Sequence, residues 1–260
     1  MSTRDFLVEL GTEELPPMAL KTLSEAFANG IVSGLKDAGL DASDVEIFAA
    51  PRRMAVRLAE LAEKQADQQE TLYGPPAKIA YDADGNLTKA AAGFAARAGV
   101  DASELQTAPE SAGKNAGKLM IQRTILGKDT VELLPAIVQT SLDKLPIPKR
   151  MRWGASRVEF VRPVQWLVML FGNDVVDGEV LTLQAGNTSR GHRFHAPGDV
   201  TIHSPAEYES ALRAAYVMAS FAERSELIAT QVKAAGEKLG GEAVISDDLL
   251  EEVTALNEWP

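Results

Sequence analysis

The sequence has 260 residues, 45% hydrophobic and 24% charged, with a formal net charge of −11. That is ordinary for a soluble globular chain and sufficient for one large domain or two modest ones. It has no cysteine, which excludes disulfides, thiolate metal sites and cysteine nucleophiles. No apolar run approaches the roughly 20 residues that span a bilayer. The opening MSTRDFLVEL has polar and acidic residues where a signal peptide needs an apolar core, so a cytoplasmic protein with no membrane partner is expected.

FLVEL (Phe6 to Leu10) reads as a short strand broken by Gly11. Glu13 and Glu14 then stand before Pro16-Pro17, a sequence that suits a helix N-terminus, where acids and proline are favoured. The same two acids are also candidates for paired catalytic carboxylates, the weaker of the two readings. Leu20, Leu23, Phe27, Ile31 and Leu35 form an apolar stripe at helical spacing, closed by Gly39. Val45 to Ala50 and Met54 to Leu61 read as strands around the kink at Pro51, with Arg52 and Arg53 at the turn. Residues 62 to 77 are polar, end in Gly-Pro-Pro and are expected to be a loop. A turn at 81–86 precedes an alanine-rich helix that Thr88 can cap and Gly99 ends.

The glycine-rich stretch 106–117 reads as a mobile loop, followed by a strand over 119–126 and a helix over 129–145. Val164 to Phe171 is a nearly continuous apolar run, the pattern of a strand covered on both faces. A further strand is expected at 178–183 and another at 200–203. Helices follow from Ser204-Pro205 to about Ala215, from Phe221 to Leu239, and from Ser246 through DDLLEEVTALNEW. Strands and helices mix without strict βαβ alternation, which gives an α+β class: a mixed sheet packed with helices and a helical, acidic C-terminal arm. The domain reading is a mixed α/β module over 1–203, with a second cut available at the 106–117 loop, and a helical segment over 204–260. Trp259 at the very end needs something to pack against, so a parent chain that continues is expected.

Charge is unevenly placed. From Lys144 to Gln165 there are six basic residues against one acid, so this stretch is +5 and the remainder −16. A second basic cluster, TSRGHRFH, spans Thr188 to His195. Arginine forks match phosphate geometry, and Trp153 or Phe194 can stack on a base. The bland alternative is that Arg150, Arg152 and Arg157 neutralise the acids of the tail, where eleven acids and four bases lie between Glu207 and Glu258. Prolines 146, 148 and 163 stiffen the arginine-bearing backbone and tilt the balance slightly towards an anion.

Phosphate-loop glycine motifs and nucleophile-elbow motifs are missing. His192-x-x-His195 is a weak metal pair, because a strand would turn the two rings to opposite faces and no ligand-spaced carboxylates accompany them. No metal site and no catalytic residue are assigned.

Together FLVELGTEELPP, APRRMAV, LPIPKRMRWG, FVRPVQWL, SRGHRF and LLEEVTALNEWP resemble, over essentially the whole chain, the N-terminal part of the beta subunit of heterotetrameric bacterial glycyl-tRNA synthetases. The resemblance implies a longer parent with two alpha and two beta chains. It implies ATP, with Mg, used by the whole enzyme in a pocket of the alpha subunit, and no cofactor in this part. It also implies a partner role for tRNA(Gly), and a fold similar to the editing-type domain of the large chain of phenylalanyl-tRNA synthetase. Glycine is the amino acid for which steric exclusion makes editing least necessary.

Three roles follow as expectations. The first is a non-catalytic tRNA-facing module using Arg52, Arg53, Lys149, Arg150, Arg152, Trp153, Arg157, Arg190, His192 and Arg193. The second is a structural platform for tetramer assembly. The third is a vestigial editing-type hydrolase pocket around His192.

Overall fold

The computed structural model describes residues 2–82, 85–155 and 157–260. Two compact units divide it, one of Met1–Gln65 with Lys128–Pro260 and one of Ala66–Gly127. This is a different division from the cut at 203/204 read from the sequence, since the helices after 204 belong to the first unit. The expected turn at 81–86 lies partly on Ala83 and Asp84, outside the described residues.

The strands in chain order are β1 (Thr3–Thr12), β2 (Val45–Ala50), β3 (Arg53–Ala62), β4 (Gln68–Pro76), β5 (Gln106–Thr107), β6 (Lys118–Ile125) and β7 (Met151–Arg152). They continue with β8 (Glu159–Phe160), β9 (Val164–Phe171), β10 (Asp174–Val175), β11 (Glu179–Val180), β12 (Leu183–Gln184), β13 (Thr188–Arg190) and β14 (Asp199–Thr201). The helices are α1 (Pro17–Asp37), α2 (Lys89–Ala98), α3 (Thr130–Asp143), α4 (Tyr208–Ala214), α5 (Phe221–Lys238) and α6 (Asp247–Leu256). The class is α+β.

The first unit is organised on a five-stranded antiparallel sheet in the order β10-β9-β1-β3-β2. Alternation along β1 sends Phe6, Val8 and Leu10 to one face, where they meet the α1 stripe of Leu20, Leu23, Phe27 and Ile31 and Leu134, Val138 and Leu142 of α3. Leu7 points the other way, into a second core with Trp166, Val168, Tyr208, Leu212 and Val217. Both faces of β9 are therefore covered, as its unbroken apolar run requires. Proline at the first position of α1 forfeits no intrahelical bond. Past its other end Gly39 takes φ 66° while Leu40 N–H reaches back to the Leu35 carbonyl, a Schellman-type close.

Two sequence readings change here. The first strand does not stop at Gly11 but runs on to Thr12. A glycine is needed inside it because the Trp166 indole lies against it, and a Cβ there would fall 1.9 Å from Cε2. The expected strand at 178–183 is instead the hairpin β11–β12, reversed at Leu181 and Thr182, which both hold positive φ (50° and 64°).

The second unit is a three-stranded sheet, β4-β6-β5, with α2 on it. Phe94, Ala91, Leu119 and Ile121 form its small core. Residues 68–76 are thus a strand where a loop was expected. The polar QQET opening is satisfied by cross-strand pairing with Gln122–Ile125 rather than by burial, which hydrophobic periodicity does not register. The glycine-rich 106–117 stretch contains β5 and a short 3₁₀ segment, Glu110–Asn115.

Candidate nucleic-acid interface

The sequence places one acid, Glu9, in the middle of the apolar strand β1, and the fold buries it completely. Its side chain shares a face with Leu7 and Gly11, so it enters the second core rather than solvent. One carboxylate oxygen accepts from Trp166 Nε1–H and from the Ser189 hydroxyl, the latter at 2.5 Å. The other accepts from the Tyr208 hydroxyl at 2.5 Å and lies 3.4 Å from Arg53.

Arg53 is likewise fully buried and donates to Ser189 Oγ (2.9 Å), the Arg190 carbonyl (2.8 Å) and Glu258 (3.4 Å). Burial alone would lower the pKa of this guanidinium, but Glu9 and Glu258 outweigh burial and raise it. Burial and the neighbouring Glu9 carboxylate hold the Tyr208 phenol well above its ordinary value, so it remains a donor. Arg53 therefore serves the interior and offers nothing to an outside phosphate.

Around this network sits a rim of cations. The guanidiniums of Arg52, Arg53 and Arg190 lie 5.7, 5.4 and 5.2 Å from the Trp166 ring centre, within cation–π range. Arg52 and Arg193 line two cavities. The smaller, about 170 Å³, also includes His192, Phe194 and Trp259, and the larger, about 350 Å³, includes Arg190. Arg193 is held by Glu13 and Glu14, each at 2.9 Å. Those acids thus serve an arginine rather than the helix N-terminus, and the first turn of α1 contains no acid.

His192 and His195 stand in a turn rather than a strand, so their rings meet at 4.5 Å instead of pointing apart. Nδ1 of His192 accepts from the backbone N–H groups of Phe194 and His195. Burial lowers the His192 pKa, and His195, Arg52 and Arg53 add to the fall against Glu258. Among the described residues no group of three or more His, Asp or Glu side chains is placed to hold a metal. Trp259 finds a partner within the chain, lying edge-on to Tyr216 at 5.3 Å.

The residues from 149 to 157 form a separate group. Arg150 donates to the Asp143 carbonyl (2.8 Å) at the end of α3 and to the Glu159 carbonyl (3.3 Å). It thereby closes carbonyls that the helix leaves open. Arg152 pairs with Glu159 at 2.5 Å across the β7–β8 hairpin. Trp153 is half-buried against the main core. Arg150, Arg152 and Arg157 line a cavity of about 510 Å³ together with Asp143, Glu159 and Glu179, so its charge is balanced. Lys149 and Arg157 are exposed and make no ion pair among the described residues.

The fold thus brings Arg52, Arg53, Arg190, His192 and Arg193 together about Trp166. It gathers Arg150, Arg152 and Arg157 elsewhere, around another cavity, and leaves the neighbouring Lys149 outside that lining. Glu9, Ser189 and Tyr208 escaped the sequence reading. The signal available was a lone acid inside FLVEL, which a two-sided buried strand must pair. Arg224 also escaped it. That side chain is fully buried and donates to the carbonyls of Met218 (2.5 Å) and Ala49 (2.6 Å), tying α5 to the open edge of β2.

Comparison with known proteins places this architecture. The sequence model of the glycyl-tRNA synthetase beta subunit family matches residues 6–260. The chain is 55% identical over 260 residues to the glycine–tRNA ligase beta subunit of Ectopseudomonas mendocina, covering all of this chain and 37% of that protein. The corresponding protein of Pseudomonas aeruginosa strain LESB58 gives the same identity and coverage. That of Marinobacter nauticus is 54% identical over 263 residues. The chain spans 37% of the length of these relatives. It belongs to the glycyl-tRNA synthetase beta subunit family.

Proposed function

We propose that, as part of a glycine–tRNA ligase beta subunit, this chain binds and positions tRNA(Gly) in the cytoplasm. On this reading glycylation is carried out with ATP and Mg by the alpha subunit, and no aminoacylation step falls to the residues described here. The observation that supports a tRNA-facing role is the set of cations the fold leaves unspent. Lys149, Arg157 and Arg190 are exposed and have no carboxylate partner among the described residues, in a chain of net charge −11. Such cations are what a phosphate backbone recruits.

The test is tRNA binding by the assembled alpha–beta ligase as a function of salt, with Lys149, Arg157 and Arg190 all changed to alanine. Each lost contact lowers the log–log salt slope by roughly 0.9 on duplex and 0.7 on single strand, so the slope should flatten by about two units or more. An unchanged slope refutes the role.

A second reading, a platform for subunit assembly, is favoured by a different observation. Arg53, Arg150, Arg152 and Arg193 are taken up within the chain by carboxylates or helix-end carbonyls, Arg152 and Arg193 at the surface. For these four, alanine should lower the melting temperature or tetramer yield while tRNA affinity per assembled complex stays level.

A further inference from the structure

One guanidinium in the rim has no counterpart in the fold. Arg52 is 8% exposed, yet its Nε is buried without a partner and, among the described residues, its side chain makes no hydrogen bond or ion pair. The two fully buried arginines are treated differently: Arg53, whose Nε is likewise unpartnered, has two carboxylates and a carbonyl on its terminal nitrogens, and Arg224 has a set of backbone carbonyls. Burying a charge without compensation is expensive, so an unpaired guanidinium inside a cavity wall points to a group that arrives from outside. Burial lowers the Arg52 pKa, with Arg193 and Arg53 adding to the fall and Glu258 and Glu13 opposing it.

The neighbouring charges narrow what that group is. Four carboxylates stand on the walls of the two cavities that share Arg52: Glu14 and Glu258 on the smaller, Glu13 and Asp199 on the larger. Glu13 and Glu14 are held by Arg193, and Glu258 by Arg53. Arg193 serves two carboxylates and Arg53 serves Glu9 as well as Glu258, so with Asp199 four arginines stand among five carboxylates. The guanidiniums left without an ion pair among the described residues are Arg52 and Arg190, both about one Trp166 ring. A compact anion with several oxygens satisfies two such forks at once. The Phe194 ring, 82% exposed, lines the smaller cavity, which shares Arg52 but not Arg190, and offers a surface on which a base can stack.

We propose that Arg52 and Arg190 form a subsite for a phosphate-type anion, supplied by an RNA phosphodiester or by a free nucleotide, with Phe194 as the adjoining base platform. Only the RNA source rests on the tRNA reading above; the anion subsite stands without it.

The experiment is thermal melting of the 260-residue chain with inorganic phosphate, AMP or a short single-stranded oligoribonucleotide. It is run on the unaltered protein and on Arg52→Gln, Arg190→Gln and, as a control, Lys233→Gln, exposed on α5 and outside both cavities. A ligand that binds the folded state raises the melting temperature by mass action. The expected result is a ligand-dependent rise in the unaltered protein and in Lys233→Gln. That rise should be lost in Arg52→Gln and weakened in Arg190→Gln, with affinity down by about tenfold or more. Without ligand, Arg52→Gln should melt at or above the unaltered protein, since a buried guanidinium with no hydrogen-bond or ion-pair partner for its side chain has been removed.

A rise with the oligoribonucleotide alone assigns the anion to a phosphodiester; a rise with AMP or phosphate as well assigns it to a free phosphoryl group. The proposal is overturned if no ligand shifts the unaltered protein or if Arg52→Gln keeps the shift. It is equally overturned if Arg52→Gln is destabilised without ligand or fails to fold, or if Arg190→Gln, altered at an exposed side chain, responds like the unaltered protein. A tRNA salt slope that does not change while the AMP response persists would remove the tRNA role and leave the subsite. A salt slope that flattens while none of the three ligands shifts the melting temperature removes the subsite alone.

Discussion

Glu9→Gln isolates the charge at the centre of the buried network without changing its shape. The carboxylate accepts from Trp166 and Ser189 on one oxygen and from Tyr208 and Arg53 on the other. A glutamine must turn its NH₂ to one side. On the first side it faces the indole N–H, a donor only; on the second it faces the Arg53 guanidinium, also a donor only. The hydroxyls of Ser189 and Tyr208 can rotate to accept, but neither orientation satisfies every donor. Breaking a buried ion pair by removing one partner costs about 3–5 kcal/mol, a large share of the roughly 5–15 kcal/mol that holds a domain.

Tyr208→Phe removes a single hydrogen bond to a charged acceptor, worth about 1.5–3 kcal/mol. Urea unfolding is the assay, with a lowered midpoint and an unchanged slope as the signature of lost stability. Because both variants cut the same network, the double variant should cost less than the two together. A Glu9→Gln cost below about 0.5 kcal/mol, the range of surface changes, or strict additivity with Tyr208→Phe, would refute the network.

Gly11→Ala drives a methyl into the Trp166 indole, and overpacking of this kind costs about 1–3 kcal/mol; an unaltered melting temperature would contradict the packing. Arg150→Ala opens the last carbonyls of α3. It should lower stability by about 1 kcal/mol and leave the salt dependence of tRNA binding unchanged, which fluorescence titration of the assembled ligase would check. His192 has a folded-state pKa below its ordinary 6.5, so the unfolded chain binds its proton more readily. Its contribution to stability is complete above about pH 6.5 and is lost as pH falls through and below that value. Thermal melts from pH 5 to 8 should show this slope reduced in His192→Asn, which keeps an acceptor for the Phe194 and His195 N–H groups. Equal slopes in the two proteins would refute the assignment.

Periodicity made most of the first unit legible, because α1 and β9 bury continuous apolar sets and their registers follow from 3.6-residue and two-residue repeats. It did not reveal β4, whose polar half is stabilised by ladder hydrogen bonds to β6, nor the hairpin reversal at Leu181-Thr182, where two non-glycine residues take positive φ. The histidine pair was misplaced for a related reason. Its geometry depends on a local turn held by Nδ1 of His192, and no side-chain pattern announces that turn. The arginines of the candidate site could be named from charge alone, but which way each one turns is decided by partners distant in sequence, Glu9 for Arg53 and the end of α3 for Arg150.

That last dependence limits what a basic stretch means. An acidic chain supplies carboxylates and helix-end carbonyls within reach of almost any arginine, and the fold takes up those it needs. Arg150 is drawn to α3, Arg152 to Glu159, Arg193 to Glu13 and Glu14, and Arg53 into the core. Bonds of this kind are satisfied within the chain, so an outside phosphate would have to displace a partner already in place and would gain little net energy. The cations available to RNA are those the fold leaves over. By that criterion Lys149, Arg157 and Arg190 count for more than the denser Arg150–Arg152 pair. Arg52, left over although it is buried, is the position where an anion would gain most.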